Sequence, residues 1–287
     1  DQERCRVSDQ VAEQSTEQST DLRTLPNGLS VHGLNRSETE YLYKEIFEDQ
    51  SYVPPEGFRF PEQPVVVDVG ANIGMFALFM ATNFPDARVF SFEPVPRTFD
   101  ALHKNVGGLA NVSVFNMALG DAPQTRELTF YPQYSMMSGF DADPEVDRAL
   151  VKSYIGNIAE TLDQERRELV LEEADELIEG RFEAVERVSC RIDRLETVAA
   201  ELGIDRIDFL KIDVEGFEVK VLKGIGDSLW PRIAQAAVEV EDDNGELAEV
   251  TELFAARGMT TVVEQPEEYR GTSVYNVFAS REEGVSP

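Results

Sequence analysis

The sequence predicts an α/β protein built on a doubly wound, mostly parallel sheet. From Val65 onwards, segments rich in β-branched and aromatic residues alternate with segments of helical periodicity, which is the pattern of a parallel sheet covered by helices on both faces. A glycine loop follows the first of these strands, in "VVVDVGANIGMF" (65–76), and an acidic residue, Glu93, ends the second strand. Both features are typical of a sheet that binds its ligand at the carboxyl ends of its strands.

The chain before this sheet divides into a tail and a preface. Residues 1–21 are polar and contain the tandem "EQSTEQST", so we expect a disordered tail or linker. Residues 22–63 form the preface, in which Asn27-Gly28 predicts the turn of a short hairpin. Ser37 with Glu40 three residues later predicts a capping box that opens a helix.

The main domain is predicted to extend over residues 64–287. Seven strands are predicted, the last two as an antiparallel hairpin at one edge, at 64–69, 88–93, 111–116, 207–213, 235–241, 260–264 and 273–280. Helices are predicted near 74–84, 96–106, 195–202, 216–225 and 245–257.

A long acidic segment, 141–187, interrupts this alternation. Apolar residues recur in it at a spacing of four, which predicts a helix with one apolar stripe made of Val146, Leu150, Tyr154, Ile158 and Leu162. The segment leaves the fold near the carboxyl ends of the strands, so we interpret it as a lid over the ligand site. The alternative is a solvated insertion packed on the domain.

Charge and cysteine content exclude several classes of protein. The net charge of −29 would repel nucleic acid and anionic lipid, so neither is an expected partner. No apolar run approaches the roughly 20 residues of a membrane span. Cys5 and Cys190 form no disulfide framework, and the polar N-terminus is unlike a signal peptide. We therefore expect a cytoplasmic protein.

The glycine loop and Glu93 together predict a ligand that contains ribose. Gly70 allows a tight turn, and Gly74 allows close approach at the start of the next helix. Glu93 lies 19 residues past Gly74, the position from which a carboxylate binds a ribose diol. Asn72 and Met75 stand where a dinucleotide fingerprint has glycines, which argues against an NAD or nucleotide-sugar enzyme.

Two further groups refine the ligand. Asp68, at the end of the first strand, opposes a phosphate but suits the amino and sulfonium groups of S-adenosylmethionine. Asn116, Met117 and Ala118 follow the third strand and are placed to flank an adenine, although ordinary packing explains Met117 and Ala118 equally well.

Four motifs in order, "VVVDVGANIGMF", "VFSFEPVPRTFDALHKNV", "NMALGD" and "IDFLKIDVEGFEVKVLKG", resemble the FkbM-type S-adenosylmethionine-dependent methyltransferases. The resemblance covers about residues 25–280, without the acidic segment. The preface is similar to that of O-methyltransferase domains associated with polyketide and peptide synthases. The resemblance implies a Rossmann-like class I methyltransferase fold and methylation of a hydroxyl on a small-molecule or carrier-bound substrate. It implies a cofactor site made of Asp68, Gly70, Ala71, Asn72, Gly74, Glu93, Asn116, Met117, Ala118 and Asp213.

The candidate catalytic residues lie at the ends of the fourth and fifth strands. Lys211 and Asp213 lie on one side of a strand in "FLKIDVEGFE", and charged side chains in an apolar strand are costly unless they pair. We therefore consider both a catalytic role and a purely structural ion pair. Glu239 and Glu241 share one face of the next strand.

Glu241 stands where the family pattern leads us to expect a histidine. Glu241 can act as the base if burial raises its pKa. Alternatively, Asp213 with Glu239 or Glu241 holds a divalent ion such as Mg²⁺, because hard cations bind carboxylate oxygens. His32, in the preface, is a further catalytic candidate. A second hypothesis is a degenerate domain that binds cofactor or a carrier protein without turnover.

Overall fold

The computed structural model describes residues 20–281. The predicted tail therefore lies outside the described residues, apart from Thr20 and Asp21 at its end. Asp21 begins the first strand of the preface.

The preface is a hairpin followed by a helix. Strands β1 (Asp21–Thr24) and β2 (Ser30–Gly33) pair antiparallel, and Gly28 takes the positive φ of 87° that the predicted turn needs. Helix α1 (Arg36–Tyr43) continues into a π-helical turn over Lys44–Glu48.

The predicted capping box is wrong by two residues. Asn35 is the N-cap, because its extended backbone places the side-chain oxygen 2.9 Å from the Glu38 amide. Ser37 instead donates to the Asn35 side chain. The N-cap is the last residue before the helix whose backbone is not helical, and in the segment after β2 that residue is Asn35.

The remaining strands form one large sheet and one small sheet. In chain order they are β3 (Val65–Val69), β4 (Arg88–Phe92), β5 (Val112–Phe115), β6 (Ala118–Leu119), β7 (Gln124–Phe130), β8 (Glu186–Asp193), β9 (Ile207–Ile212), β10 (Ile233–Glu241), β11 (Thr260–Glu264) and β12 (Val274–Ser280). The large sheet has seven strands in the order β11-β12-β10-β9-β3-β4-β5, and β6, β8 and β7 form the small one.

The large sheet confirms the predicted fold. Strands β10, β9, β3, β4 and β5 run parallel to one another, and β12 enters antiparallel between β10 and β11. The chain winds outwards from β3 in one direction and then returns to place β9 on its other side. The crevice at this reversal, at the carboxyl ends of the strands, is where a doubly wound sheet binds its ligand.

Seven further helices complete the domain and its insertion. They are α2 (Met75–Asn83), α3 (Pro96–Val106), α4 (Pro144–Glu160), α5 (Gln164–Phe182), α6 (Leu195–Leu202), α7 (Glu218–Lys223) and α8 (Glu246–Ala256). They leave one apolar cluster on each face of the large sheet, the first around Val66 and Phe209 and the second around Leu210 and Val240. Alternate residues of β9 thus enter opposite layers.

The acidic segment forms the paired helices α4 and α5. The predicted apolar stripe is rotated by about one residue, because Val146 is 50% exposed while Asp147, Val151 and Ala159 are buried. Val151 joins a small core with Tyr131, Tyr134, Met137, Ile178 and Phe182. A polar residue takes a place in the buried stripe because Asp147 accepts a hydrogen bond of 2.6 Å from the buried Tyr131 hydroxyl.

Within residues 20–281, no helix combines the length and the apolar character needed to cross a membrane.

Candidate active site

A cavity opens at the carboxyl ends of β3, β4, β9 and β10. Its walls come from the glycine loop, the β4 tip, the β9 tip, the preface and the loop after β7, and the residues that line it include Gly70, Asn72, Glu93, Ala118, Leu119, Met136, Phe140, Asp213, Glu215, Glu239, Glu45 and Tyr52. Glu93 bounds one end, and the other end is bounded by four further acidic side chains, those of Glu45, Asp213, Glu215 and Glu239. We call these the Glu93 end and the acidic end.

Glu93 is held rigidly at its end of the cavity. One of its oxygens accepts from the Asn72 amide at 3.1 Å and the other from the Val95 amide at 2.9 Å. Burial raises the pKa of Glu93 to about 8. Each carboxylate oxygen has a second lone pair, so both oxygens remain able to accept a hydroxyl.

Gly70 is required by the close approach of two loops. Its φ is +77°, and a Cβ atom added there would lie 1.7 Å from the Asp213 carbonyl oxygen. The amides of Gly70 and Ala71 both donate to the Phe92 carbonyl, which joins the glycine loop to the β4 tip. Gly74 starts α2 and faces Leu102 of α3 instead of the cavity.

Asp68 does not reach the cavity, contrary to its predicted place beside the ligand. It is fully buried beneath the glycine loop, where it accepts from Ser91 at 3.1 Å and lies 3.6 Å from the Lys211 ammonium. An acid at this point of a central strand faces the layer between sheet and helices, and it stays charged there only with a partner. Asp68 therefore supports Lys211.

Lys211 is buried behind the cavity wall, and the partners of its ammonium are structural. Its ammonium donates to the Gly70 carbonyl at 2.8 Å and to Asp213 at 3.0 Å, and it lies between Asp213 and Asp68. These two carboxylates outweigh the cost of burial and hold the pKa of Lys211 above its usual value. The ion-pair interpretation of Lys211 is the one that this geometry favours, and its effect is to fix the β9 tip against the glycine loop.

The segment after β5 reaches the cavity in part. Ala118 lines it, together with the neighbouring Leu119, whereas Met117 is packed in the apolar core. Asn116 is not among the lining residues, because its side-chain amide donates to the backbone carbonyls of Glu93 and Pro94 at 2.9 and 3.0 Å. This hydrogen bonding ties the β5 tip to the β4 tip.

The acidic end brings together four carboxylates from three parts of the chain: the segment after β9, strand β10 and the π-helical turn of the preface. Asp213, Glu215 and Glu239 each offer an oxygen within 4.8 Å of the others, and Glu45 of the preface also lines this end. Burial, followed by repulsion from Asp213, raises the pKa of Glu45 to about 8 and that of Glu239 well above its usual range. A set of like charges at this spacing needs either protons or a cation.

Tyr52 fixes the orientation of Asp213. The phenol is 3% exposed and donates a hydrogen bond of 2.9 Å to the same Asp213 oxygen that Lys211 contacts. The Lys211 ammonium also lies 5.0 Å from the centre of the Tyr52 ring. Two donors hold one oxygen of Asp213, which leaves the other oxygen free to face the cavity.

Glu241 and His32 are not brought to this cavity. Glu241 leaves β10 on the same face as Glu239 but two residues further along, where it lies beside Glu215 and Gly216 and lines a neighbouring acidic cleft between α4 and α8. His32 contacts Thr20 through its ring and Asn105 through its backbone. The ion site predicted with Glu241 is therefore better formed with Glu215.

The sequence did not reveal Glu45 and Tyr52. Glu45 lies in a run of acidic residues, and the π-helical turn shifts the helical register, so periodicity alone cannot tell which acid faces inwards. Tyr52 precedes a Pro-rich link and carries no recognisable motif. The feature that turns Glu45 inwards is the π-helical turn, which no pattern in the sequence predicts.

The loop after β7 covers the cavity and is tied to the preface. Glu38 of α1 is buried and accepts from the Ser135 hydroxyl and from the Met136 amide, the latter at 2.8 Å. Met136, Ser138 and Phe140 of this loop line the cavity, and the core between α4 and α5 packs against its other side. The insertion thus supports the cover of the cavity.

Comparison with known proteins identifies the family of the chain. The family model described as the methyltransferase FkbM domain matches residues 68–260. The chain is 39% identical over 261 residues to the 31-O-demethyl-FK506 methyltransferase FkbM of Streptomyces tacrolimicus, covering 91% of this chain and 96% of that protein. It is 29% identical over 250 residues to methyltransferase sdnD of Sordaria araneosa, covering 83% of this chain and 89% of that protein.

A third relative is much longer. The chain is 38% identical over 279 residues to the AMB antimetabolite synthetase AmbE of Pseudomonas aeruginosa, covering 94% of this chain but only 13% of that protein. The family model covers more than half of the chain, and the FkbM relative matches it over nearly its whole length. The chain belongs to the FkbM family of S-adenosylmethionine-dependent methyltransferases.

Proposed function

We propose that this methyltransferase transfers the methyl group of S-adenosylmethionine to a hydroxyl group of a small-molecule or carrier-bound substrate. The observation that carries the proposal is the single cavity that joins a rigid carboxylate, Glu93, to a cluster of carboxylates at the acidic end. One relative is named a 31-O-demethyl-FK506 methyltransferase and another an antimetabolite synthetase, which supports a hydroxylated biosynthetic intermediate as acceptor.

The lining residues suit the cofactor. Glu93 has an unused lone pair on each oxygen for the two hydroxyls of a ribose. Ala118 and Leu119 offer an apolar wall for an adenine, and Gly70 with Asn72 faces the space that remains towards Asp213. When bound, S-adenosylmethionine supplies an electrophilic methyl group on a sulfonium, and the carboxylates of the acidic end favour that positive charge.

The residues of the chain then have to position and deprotonate the acceptor. Asp213 is oriented by Tyr52 and Lys211, so it can hold the hydroxyl in line with the methyl group. A neighbouring carboxylate of the acidic end receives the hydroxyl proton in its ionised form, which the positive charge of the bound sulfonium favours; Glu45, whose pKa burial raises to about 8, is the candidate closest to neutral pH. Met136 and Phe140 exclude water above the site.

The first test is calorimetric titration with S-adenosylmethionine and S-adenosylhomocysteine. We expect wild type to bind both ligands, and Glu93→Gln and Glu93→Ala to weaken binding by at least about tenfold, because tenfold is about 1.4 kcal/mol and the loss of a single hydrogen bond to the ribose costs about that much. Glu127→Ala is the matched control, because Glu127 is exposed on β7. Equal binding by all four proteins would place the ribose elsewhere.

The second test addresses the reaction. A panel of hydroxylated compounds, free and as carrier thioesters, is incubated with the cofactor and analysed by mass spectrometry for methyl ethers. We expect Asp213→Asn to abolish any activity found while cofactor binding persists. Methylation of amines or carboxylates, with hydroxyls untouched, would contradict O-methylation.

A further inference from the structure

The acidic end contains three carboxylates at the spacing of a metal site. Asp213 follows β9, Glu215 lies two residues further on, and Glu239 lies in β10, and one oxygen from each lies within 4.8 Å of the others. Within residues 20–281, no other group of three or more acidic, His or Cys side chains meets that spacing.

No basic side chain faces this group from the cavity wall. The residues that line the cavity include five carboxylates and no Lys or Arg. Lys211 lies behind the wall, and its charge is already shared among Asp68, Asp213 and the Gly70 carbonyl. Lys211 therefore balances only part of the negative charge that the carboxylates of the acidic end would carry when ionised.

Glu45 adds a fourth carboxylate to this end of the cavity. It is only 9% exposed and lines the cavity. Its side chain lies beside the Tyr41 hydroxyl, which also shares a hydrogen bond of 2.9 Å with Tyr269. A fourth buried acid increases the repulsion that a bound cation would offset.

Asn276 supplies an unsatisfied oxygen on the same face of the sheet as Glu239. It lies directly opposite Glu239 in the antiparallel pair of β10 and β12, so both side chains leave the sheet on one side. Asn276 is 6% exposed, and its side-chain oxygen has no hydrogen-bond partner among the described residues. Amide and carboxylate oxygens are the ligands that hard cations prefer.

We propose that Asp213, Glu215 and Glu239 bind a hard divalent cation, Mg²⁺ or Mn²⁺, at the acidic end of the cavity. The inference deepens the proposed methyl transfer and rests on it for the identity of the acceptor. A cation bound there polarises the acceptor hydroxyl and lowers the pKa of that hydroxyl. The positive charge of the cation favours the ionised form of Glu45, which accepts the hydroxyl proton; the oxygen forms a bond to the methyl carbon, and the carbon–sulfur bond breaks with its electron pair remaining on sulfur.

The test is calorimetric titration of MnCl₂ and MgCl₂ into protein saturated with S-adenosylhomocysteine, with the electron paramagnetic resonance of bound Mn²⁺ as a second readout. We expect one ion per chain in wild type, and at least about tenfold weaker binding in Glu215→Gln and in Glu239→Gln. Asp243→Asn is the control, because Asp243 lines the neighbouring acidic cleft and is not one of the three ligands.

Thermal unfolding shows whether each variant is folded. Replacing a carboxylate by its amide keeps the shape of the side chain and removes repulsion, so both variants should unfold at or above the temperature of the metal-free wild type. Added Mg²⁺ should then raise the unfolding temperature of wild type and of Asp243→Asn but of neither ligand variant.

Failure of this inference is distinguishable from failure of the proposed function. Binding of S-adenosylhomocysteine without any binding of Mn²⁺ or Mg²⁺ would overturn the cation site and leave the methyltransferase proposal standing. Equal Mn²⁺ affinity in wild type and both ligand variants would also overturn it. Loss of S-adenosylhomocysteine binding alone would contradict the proposed function instead.

Discussion

Replacing Tyr52 by Phe removes one hydrogen bond from the site and leaves the ring in place. The phenol donates to the Asp213 carboxylate over 2.9 Å in a buried setting, and a hydrogen bond to a charged group contributes about 1.5–3 kcal/mol. For a domain of this size a loss of 1 kcal/mol lowers the unfolding temperature by roughly 2 °C. Tyr52→Phe should therefore unfold about 3–6 °C below wild type.

The assay is thermal and urea-induced unfolding of four proteins in a double-mutant cycle: wild type, Tyr52→Phe, Asp213→Asn and the double variant. We expect a coupling energy of about 1–2 kcal/mol between the two positions, because the two side chains are in direct contact. Tyr43→Phe is the matched control: it is buried in the same preface and stacks on Phe47, and its hydroxyl makes no hydrogen bond to the described residues. A coupling energy near zero, or equal losses in Tyr52→Phe and Tyr43→Phe, would refute the positioning role of Tyr52.

Two further predictions concern charge and backbone. Burial raises the pKa of Glu45 and of Glu93 from 4.5 to about 8. Between these two pH values the folded state therefore binds more protons than the unfolded state. The stability that the two protonated side chains contribute is complete below pH 4.5 and is lost as the pH rises towards 8. Urea unfolding at pH 5.5 and 8.5 should show this loss in wild type and a smaller one in Glu93→Gln, whereas a stability that increases over the range would contradict it. Gly70→Ala should destabilise the protein by more than about 3 kcal/mol and abolish cofactor binding, since its Cβ would overlap the Asp213 carbonyl. Gly57→Ala shares the positive φ but meets no atom within 4 Å, so it should cost only about 1–2 kcal/mol, and similar losses in both variants would show that the contact with Asp213 is unimportant.

The architecture was largely predictable because its signals are local. Alternating β-branched residues, the glycine loop and the Gly28 turn each act through neighbours in the chain, and the strands that they predict agree with the structure to within two residues at each end. The rotated stripe of α4 shows the limit of this reasoning. Val146 and Asp147 differ by one position, and the buried hydroxyl of Tyr131 decides which of them faces inwards.

The sequence predicted the position of a site residue only where that residue lies at the end of a parallel strand. Glu93 reaches the cavity as expected, since the tip of a parallel strand points to the ligand edge of the sheet. Asp68 satisfied the same rule in the sequence but lies beneath the loop, because Lys211 needs a buried partner. Which of these two acids meets solvent depends on packing between layers, which no sequence pattern encodes.

The sequence by itself determined the order of strands and helices, the glycine loop and the acid at the tip of β4, because each depends on backbone preferences and hydrophobic period over short distances. Only the tertiary structure decided which carboxylates share the acidic end. Tyr52 meets Asp213 across 161 residues of chain, and the π-helical turn of the preface directs Glu45 inwards. Glu241 lies beside Glu215 and Gly216 and lines the neighbouring cleft instead. These placements follow from packing the preface against the sheet, and the energy of that packing comes from contacts between residues that are far apart in the chain.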